Sequence, residues 1–138
     1  MCQSVAEHFR FAVGPSISQG VVAFSGFAPT GGGIYRAGAG PLEVVAKRDT
    51  AIPGSSGTFT QFGGTTSSDR GGIAFIGRQL PGGVEGVYVA RGDTLQKIVA
   101  TGDLLDGKRV SALRIGTESL SFDEVAFVAE FDDESSGV

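Results

Sequence analysis

The sequence predicts an all-β domain built from antiparallel four-stranded meander repeats, propeller-like blades of which the chain holds about two and a half. The chain of 138 residues contains 23 Gly and 5 Pro, a proportion that indicates many turns. Short runs of β-branched and aromatic residues lie between those turns, as strands do. The runs recur in one order at intervals of 51 to 54 residues, close to the size of a propeller blade.

The repeat is clearest in two of these runs. Val-Ala-Phe at 22–24 returns as Ile-Ala-Phe at 73–75 and as Val-Ala-Phe at 125–127. Gly-Ile-Tyr-Arg-Ala at 33–37 returns as Gly-Val-Tyr-Val-Ala at 86–90. Because several matched runs keep the same order and spacing, we interpret them as copies of one supersecondary unit.

Each unit is predicted to contain four strands. A third run, Glu-Val-Val-Ala at 43–46, matches Lys-Ile-Val-Ala at 97–100, and a Phe-containing strand precedes the first two Ala-Phe strands. The predicted strands are 9–13, 21–26, 33–37, 42–47, 58–62, 72–77, 86–90, 95–100, 109–116 and 124–131. We expect a single domain, 1–138, with repeat copies at about 9–57, 58–108 and 109–138, the last incomplete.

The order Gly-Val-Ala-Phe, Gly-Ile-Tyr-x-Ala and Leu-x-x-Val-Ala-x-x-x-Asp resembles tandem repeats of large, mostly uncharacterised bacterial proteins, many of them exported. The resemblance covers residues 9–138. It implies propeller-like blades and no particular chemistry. A β-trefoil or β-prism built from three imperfect repeats is the alternative fold.

Composition and charge disfavour several classes of function. The net charge of −4 supplies no positive field for nucleic acid. One cysteine, Cys2, excludes an intrachain disulfide, and with one histidine, His8, the chain cannot build an ordinary zinc site; no cofactor is predicted. No apolar run approaches the roughly 20 residues that span a bilayer. As written the chain is predicted to be cytoplasmic, and exported if it is part of a longer protein.

The number of repeats predicts self-assembly. A closed propeller needs about four to eight blades, and unpaired strand edges are templates for pairing with another chain. We therefore expect a homo-oligomer formed through edge strands, and a non-enzymatic interaction or assembly module as the function. One alternative is a propeller, completed by oligomerisation, that binds a small molecule or glycan. A glycoside-type hydrolase with paired acids is a further alternative.

Four residues are candidate ligand contacts. Tyr35 and Tyr88 occupy the same place in successive repeats, and tyrosine offers both an apolar ring and a polar tip. They are equally consistent with a core between repeats. Arg36 and Arg91 depart from the repeat pattern, and such departures are where a specific function would reside.

Repeated acids are candidate cation ligands or turn residues. Asp49 and Asp103 follow the same predicted strand in two repeats, and Asp69 and Asp123 precede the Ala-Phe strand in two. Calcium takes six to eight oxygen ligands, but aspartate also begins tight turns by accepting a backbone hydrogen bond. The tripeptide Arg-Gly-Asp at 91–93 lies between two predicted strands, where Gly-Asp is ordinary hairpin chemistry.

Overall fold

Strands make up the regular structure of the residues that the computed structural model describes, namely 11–28, 31–38, 40–80, 83–122, 124–133 and 135–138. The strands are β1 (Phe11–Ser18), β2 (Val21–Ala28), β3 (Gly31–Ala37), β4 (Glu43–Lys47), β5 (Gln61–Asp69), β6 (Gly72–Gln79), β7 (Val84–Arg91), β8 (Thr94–Ala100), β9 (Leu104–Leu105), β10 (Lys108–Arg114), β11 (Leu120–Ser121), β12 (Glu124–Val125), β13 (Val128–Phe131) and β14 (Ser136–Gly137). All pairings between them are antiparallel, which confirms the predicted fold class.

The strands form three four-stranded sheets and one short hairpin. The first sheet has the order β1-β2-β3-β4 and the second the order β5-β6-β7-β8, so both are simple meanders. The third sheet has the order β14-β13-β10-β9, and β11 pairs with β12 beside it. The part of the chain that the structure describes contains no helix long and apolar enough to cross a membrane.

The first strand of the first two sheets differs from its prediction. The expected positions were 9–13 and 58–62, whereas β1 ends at Ser18 and β5 spans Gln61–Asp69. The added residues are mostly glycine, serine and threonine, which have weak strand preference and resemble a loop in sequence. They are held as strands because they pair with the following strand and because their hydroxyl groups bond to the neighbouring sheet.

The predicted tenth strand, 124–131, is interrupted. Its first part, β12, pairs with β11, and its second part, β13, pairs with β10. Between them Ala126 donates its N–H to the carbonyl of Ser119 at 2.8 Å. The change of partner therefore explains the break.

Three of the described hairpins close through two-residue turns in which both residues have positive φ, at 19–20, 70–71 and 106–107. The φ angles are 52° and 79° for Gln19 and Gly20, 48° and 84° for Arg70 and Gly71, and 52° and 75° for Asp106 and Gly107. Positive φ at both central residues is the requirement of the type I′ turn, whose twist matches that of the flanking strands. Glycine at the second position of each turn meets that requirement without steric cost.

The second sheet is buried on both faces. In β6 the residues 72–77 are all buried, and in β7 so are 86–90. One face packs on the first sheet through Ile73, Phe75, Tyr88 and Ala90 against Ala23, Ile34 and Ala46. The other face packs on the third sheet through Ile76, Val87 and Val99 against Val110, Leu113 and Ala129. Near-continuous apolar strands are what a sheet covered on both sides requires.

An aromatic cluster fills the space between the first two sheets. Phe59, in the segment between β4 and β5, is fully buried. Its ring centroid lies 4.9 Å from that of Tyr88, 5.2 Å from that of Phe62 and 6.0 Å from that of Phe75. A Cβ at Gly77 would lie 2.3 Å from the Phe59 ring, so this position admits only glycine beside that ring.

Candidate functional site

The two tyrosines occupy equivalent positions in the first and second sheets, but they do not face the same space. Tyr88 is 1% exposed and lies in the core between the first and second sheets. Tyr35 is 8% exposed and stacks on Phe24 with centroids 5.7 Å apart. Because Ile34 points from the first sheet into that core, the adjacent Tyr35 points to the opposite face. The tyrosines therefore do not meet at one cavity, and burial raises the pKa of both phenols.

The two candidate arginines approach one turn of the second sheet. Arg36 pairs with Glu43 through Nε at 3.0 Å, and its Nη1 lies 3.4 Å from the Gly71 carbonyl. The Arg91 guanidinium packs on Gly72, where a Cβ would lie 2.8 Å from Nη1. Both arginines thus support the β5–β6 hairpin, while Arg36 also lines a cleft of about 460 Å³ between the sheets.

The segment 91–93 forms the β7–β8 hairpin turn. Arg91 pairs with Thr94 across it, and Gly92 has a φ of 58°. The prediction of a hairpin turn at this tripeptide is confirmed.

Asp103 is a turn residue whose structural counterpart is Thr50. Asp103 Oδ2 accepts the N–H of Ala100 at 2.9 Å, and Thr50 Oγ1 accepts the N–H of Lys47 at 3.0 Å. In both cases a side-chain oxygen closes the same four-residue turn at the end of the last strand of the sheet, 47–50 in one case and 100–103 in the other. Asp103 also lies 3.3 Å from the Lys97 ammonium.

Asp49 corresponds instead to Gly102. Asp49 has a φ of 74° and donates its N–H to the Phe59 carbonyl at 2.9 Å, while Gly102 has a φ of 93° and donates to the Val110 carbonyl at 2.8 Å. The predicted equivalence of Asp49 and Asp103 in the two repeats is therefore wrong by one residue. The reason is that pairing with the preceding strand sets the register, and Val44 pairs with Tyr35 as Lys97 pairs with Tyr88.

Asp69, the one other predicted acid among the described residues, is not grouped with these two into a cation site. Asp69 Oδ2 accepts the N–H of Phe122 at 2.7 Å, which places this carboxylate at the junction of the second sheet and the β11–β12 hairpin. Asp123, Cys2 and His8 lie outside the described residues. Within the described ranges, no three His, Cys, Asp or Glu side chains are grouped so that they could hold a metal ion.

Side chains of one first strand bond to the backbone of the next first strand. Between the first and second sheets, Ser16 Oγ accepts the N–H of Ser68 at 2.9 Å and Ser18 Oγ accepts the N–H of Arg70 at 3.1 Å. The Ser16 and Ser68 hydroxyl oxygens are 3.0 Å apart. These contacts join two strands that belong to different sheets.

The same two bonds recur at the next junction. Between the second sheet and the β11–β12 hairpin, Ser67 Oγ accepts the N–H of Leu120 at 2.9 Å and Asp69 Oδ2 accepts the N–H of Phe122. The hairpin pairings show the equivalence, because Ser16 lies opposite Ala23 and Ser67 lies opposite Ala74. We call this pair of side-chain-to-backbone bonds the junction clamp.

Buried hydroxyl groups reinforce the first clamp. Thr66 is fully buried, and its Oγ1 lies 2.7 Å from the Gly14 carbonyl and 3.0 Å from the Ala23 carbonyl. Ser16 Oγ also lies 3.3 Å from the Thr117 carbonyl. Buried polar groups are stabilising when they are satisfied, so these residues fix how one sheet is oriented on the next.

The repeat analysis missed the clamp because it followed apolar runs. A polar signal is present in the sequence: a serine, then any residue, then serine or aspartate stands just before each hairpin that leads to the Ala-Phe strand. The three copies are Ser16 and Ser18, Ser67 and Asp69, and Ser119 and Ser121.

A second group of polar residues lines a cleft of about 540 Å³ between the first two sheets. Ser25, Arg48, Gln61 and Arg78 border it. Ser25 Oγ is buried and has no hydrogen-bond partner among the described residues. The Arg78 guanidinium is held by Glu85 at 2.5 Å, which reduces the net positive charge of the cleft.

Comparisons with known proteins identify a family but no individual relative. A search of the curated proteins and a search of the solved structures found no significant match. A family described as being of unknown function matches residues 11–137, a range that includes all three sheets. The propeller-like arrangement and the bacterial origin implied by the sequence resemblance stay predictions. The chain belongs to the family of unknown function DUF7453.

Proposed function

We propose that this chain is a non-enzymatic assembly module, in which propeller-like sheets dock on copies of themselves. The observation that carries the proposal is the junction clamp. It joins the first sheet to the second and the second to the β11–β12 hairpin through the same two positions. A contact used twice in one chain is suited to joining sheets of different chains as well.

The arrangement of the sheets supports a propeller-like assembly. The first junction brings together β1 and β5, the first strands of two successive meanders, as the inner strands of a propeller are brought together. The described residues contribute three sheets, and propellers typically close with about four to eight. Combining copies therefore supplies the missing neighbours.

The engagement of the polar candidates favours assembly over catalysis. Asp69 and Asp103 each accept a backbone N–H, and Arg36 is paired with Glu43. Side chains committed to turns and junctions hold a fold together. A catalytic pair of carboxylates instead needs two acids facing one substrate.

Solution mass tests the proposal. Light scattering coupled to size exclusion, run on the purified chain over a wide range of concentrations, should give a stable small multiple of 14.1 kDa. A mass of one chain at every concentration would overturn the proposal. The fold would then have to be complete within a single chain.

A further inference from the structure

The third repeat carries the acceptor side of a junction clamp. Leu120 pairs with Val125 and Ser121 with Glu124, as Ser68 pairs with Ile73 in the second sheet. This register places Ser119 at the position of Ser16 and Ser67, and Ser121 at the position of Ser18 and Asp69. Ser119 is half-buried and Ser121 is exposed. Ser119 Oγ accepts one N–H, from Gly116 at 2.7 Å, and a hydroxyl oxygen has a second lone pair for another donor.

The first repeat carries the donor side of the same clamp. The clamp donors are Ser68 and Arg70 at the first junction and Leu120 and Phe122 at the second. The positions in β1 that correspond to them are Ile17 and Gln19. β1 is an edge strand of the first sheet, so N–H groups that point away from β2 face no strand of that sheet.

An apolar contact accompanies the clamp. Leu120 is 5% exposed and packs with Ala74, which is fully buried. Ile17 stands at the position of Leu120 and is 70% exposed. Ala126 stands at the position of Ala74 and is also exposed. The counterparts of Leu120 and Ala74, which contact each other inside the chain, are therefore both exposed: Ile17 on β1 and Ala126 after β12.

We infer that a second copy of this chain docks head to tail, with its β1 edge on the β11–β12 hairpin of the first copy. This inference rests on the proposed assembly function and specifies its interface. Ser119 Oγ accepts the N–H of Ile17 from the second copy, Ser121 Oγ accepts that of Gln19, and the Ile17 side chain covers Ala126. Since the two surfaces differ, the contact is heterologous and builds a ring or a filament.

Cysteine cross-linking between two singly substituted chains tests this register. In a Cys2→Ser background, Ile17→Cys and Ser119→Cys are prepared separately and mixed in equal amounts under mild oxidation. At the first internal junction the corresponding hydroxyl oxygens, of Ser16 and Ser68, are 3.0 Å apart. We expect the mixture to give disulfide-linked dimers that contain one chain of each kind.

Two controls calibrate the experiment. A Ser16→Cys, Ser68→Cys chain in the same background should form a disulfide within one chain, without any change in mass on a non-reducing gel. Each single variant oxidised alone should stay unlinked, because a head-to-tail contact never places two copies of one surface together.

The outcomes separate this inference from the assembly function. A multimer by light scattering whose mixture gives no mixed dimer, while the internal control closes, overturns the head-to-tail register and leaves assembly standing. Dimers of a single variant alone overturn it in favour of a two-fold contact. A monomer by light scattering overturns both.

A charge placed at the interface supplies a second, independent readout. Ile17→Glu buries an unpaired carboxylate at the proposed contact and should weaken association by about tenfold or more. Leu104→Glu is the matched control, because Leu104 is an exposed aliphatic residue on β9, at 64% exposure. Equal effects of the two substitutions would overturn the placement of Ile17.

Discussion

At the scale of single residues, Phe59 and Gly77 form one unit of the core. Phe59 meets the ring of Tyr88 nearly edge-on, at an interplanar angle of 86°. The absence of a side chain at Gly77 creates the space for that ring. The glycine in β6 is thus required for packing, although its φ angle is not in the left-handed region.

This pairing predicts a specific non-additivity. Phe59→Ala should lower the free energy of unfolding by about 3–5 kcal/mol, since it leaves a cavity among aromatic rings. Gly77→Ala should lower it by about 1–3 kcal/mol through overpacking. Once the ring is absent the added methyl has room, so the second substitution should cost much less in the Phe59→Ala chain. Urea denaturation of the four chains measures this.

Gly40→Ala is the control for the effect of alanine itself. A Cβ at Gly40 would meet nothing within 4 Å, and its φ lies outside the left-handed range. The free energy of unfolding of the Gly40→Ala chain should stay within about 0.5 kcal/mol of that of the unsubstituted chain. An undiminished cost of Gly77→Ala without the Phe59 ring would contradict the packing explanation.

Burial of the two tyrosines predicts their alkaline titration. Burial raises the pKa of Tyr35 and Tyr88 above 10.0, and the charge of Asp103 raises that of Tyr88 further. Because the folded pKa values exceed the unfolded ones, this contribution to stability is complete below pH 10.0 and is lost as the pH rises above it. Ultraviolet absorbance at pH 10.0 should therefore show less tyrosinate in the folded chain than in the chain unfolded by denaturant.

The unfolded chain and a single-tyrosine chain are the references. In denaturant both tyrosines should titrate with a pKa near 10.0. In the folded Tyr35→Phe chain, the one remaining transition should be the delayed titration of Tyr88. A folded chain whose tyrosines titrate as they do in denaturant would contradict the described burial.

At the scale of elements, the apolar strands were predictable and the polar first strands were not. The strands β2, β3, β6 and β7 contain the predicted runs because their β-branched and aromatic residues pack in cores. The strands β1 and β5 are continued by serine, threonine and glycine, whose strand geometry depends on a neighbouring sheet. The sequence pattern within one strand does not show these hydrogen bonds to a neighbouring sheet, so it did not predict the full length of β1 and β5.

The same distinction explains the register error between β4 and β8. Matching the letters Val-Ala aligned Ala46 with Ala100, whereas strand pairing aligns Ala46 with Val99. Side chains alternate along a strand, so a slip of one residue exchanges its two faces. Because of this error Asp49 was aligned with Asp103, and two acids at different positions of the turn were interpreted as one repeated acid.

At the scale of the whole molecule, the three sheets differ in the cover they receive. Both faces of the second sheet pack on another sheet, whereas among the described residues the first and third sheets each pack on another sheet through one face. Free energy of local opening follows the number of buried contacts, and edge strands with few contacts open first. The junction clamps tie the sheets together without making them equivalent.

Hydrogen exchange should therefore rank the sheets. Amide protons of β6 and β7 should exchange most slowly, close to the rate set by global unfolding, because both strands lie in the middle of the stack. Those of β13 and β14 should exchange faster, since β14 is a two-residue edge strand and β13 contains a single buried residue, Ala129. Exchange of β13 as slow as that of β6 would contradict this order, because it would mean that the sheets open only as one cooperative unit.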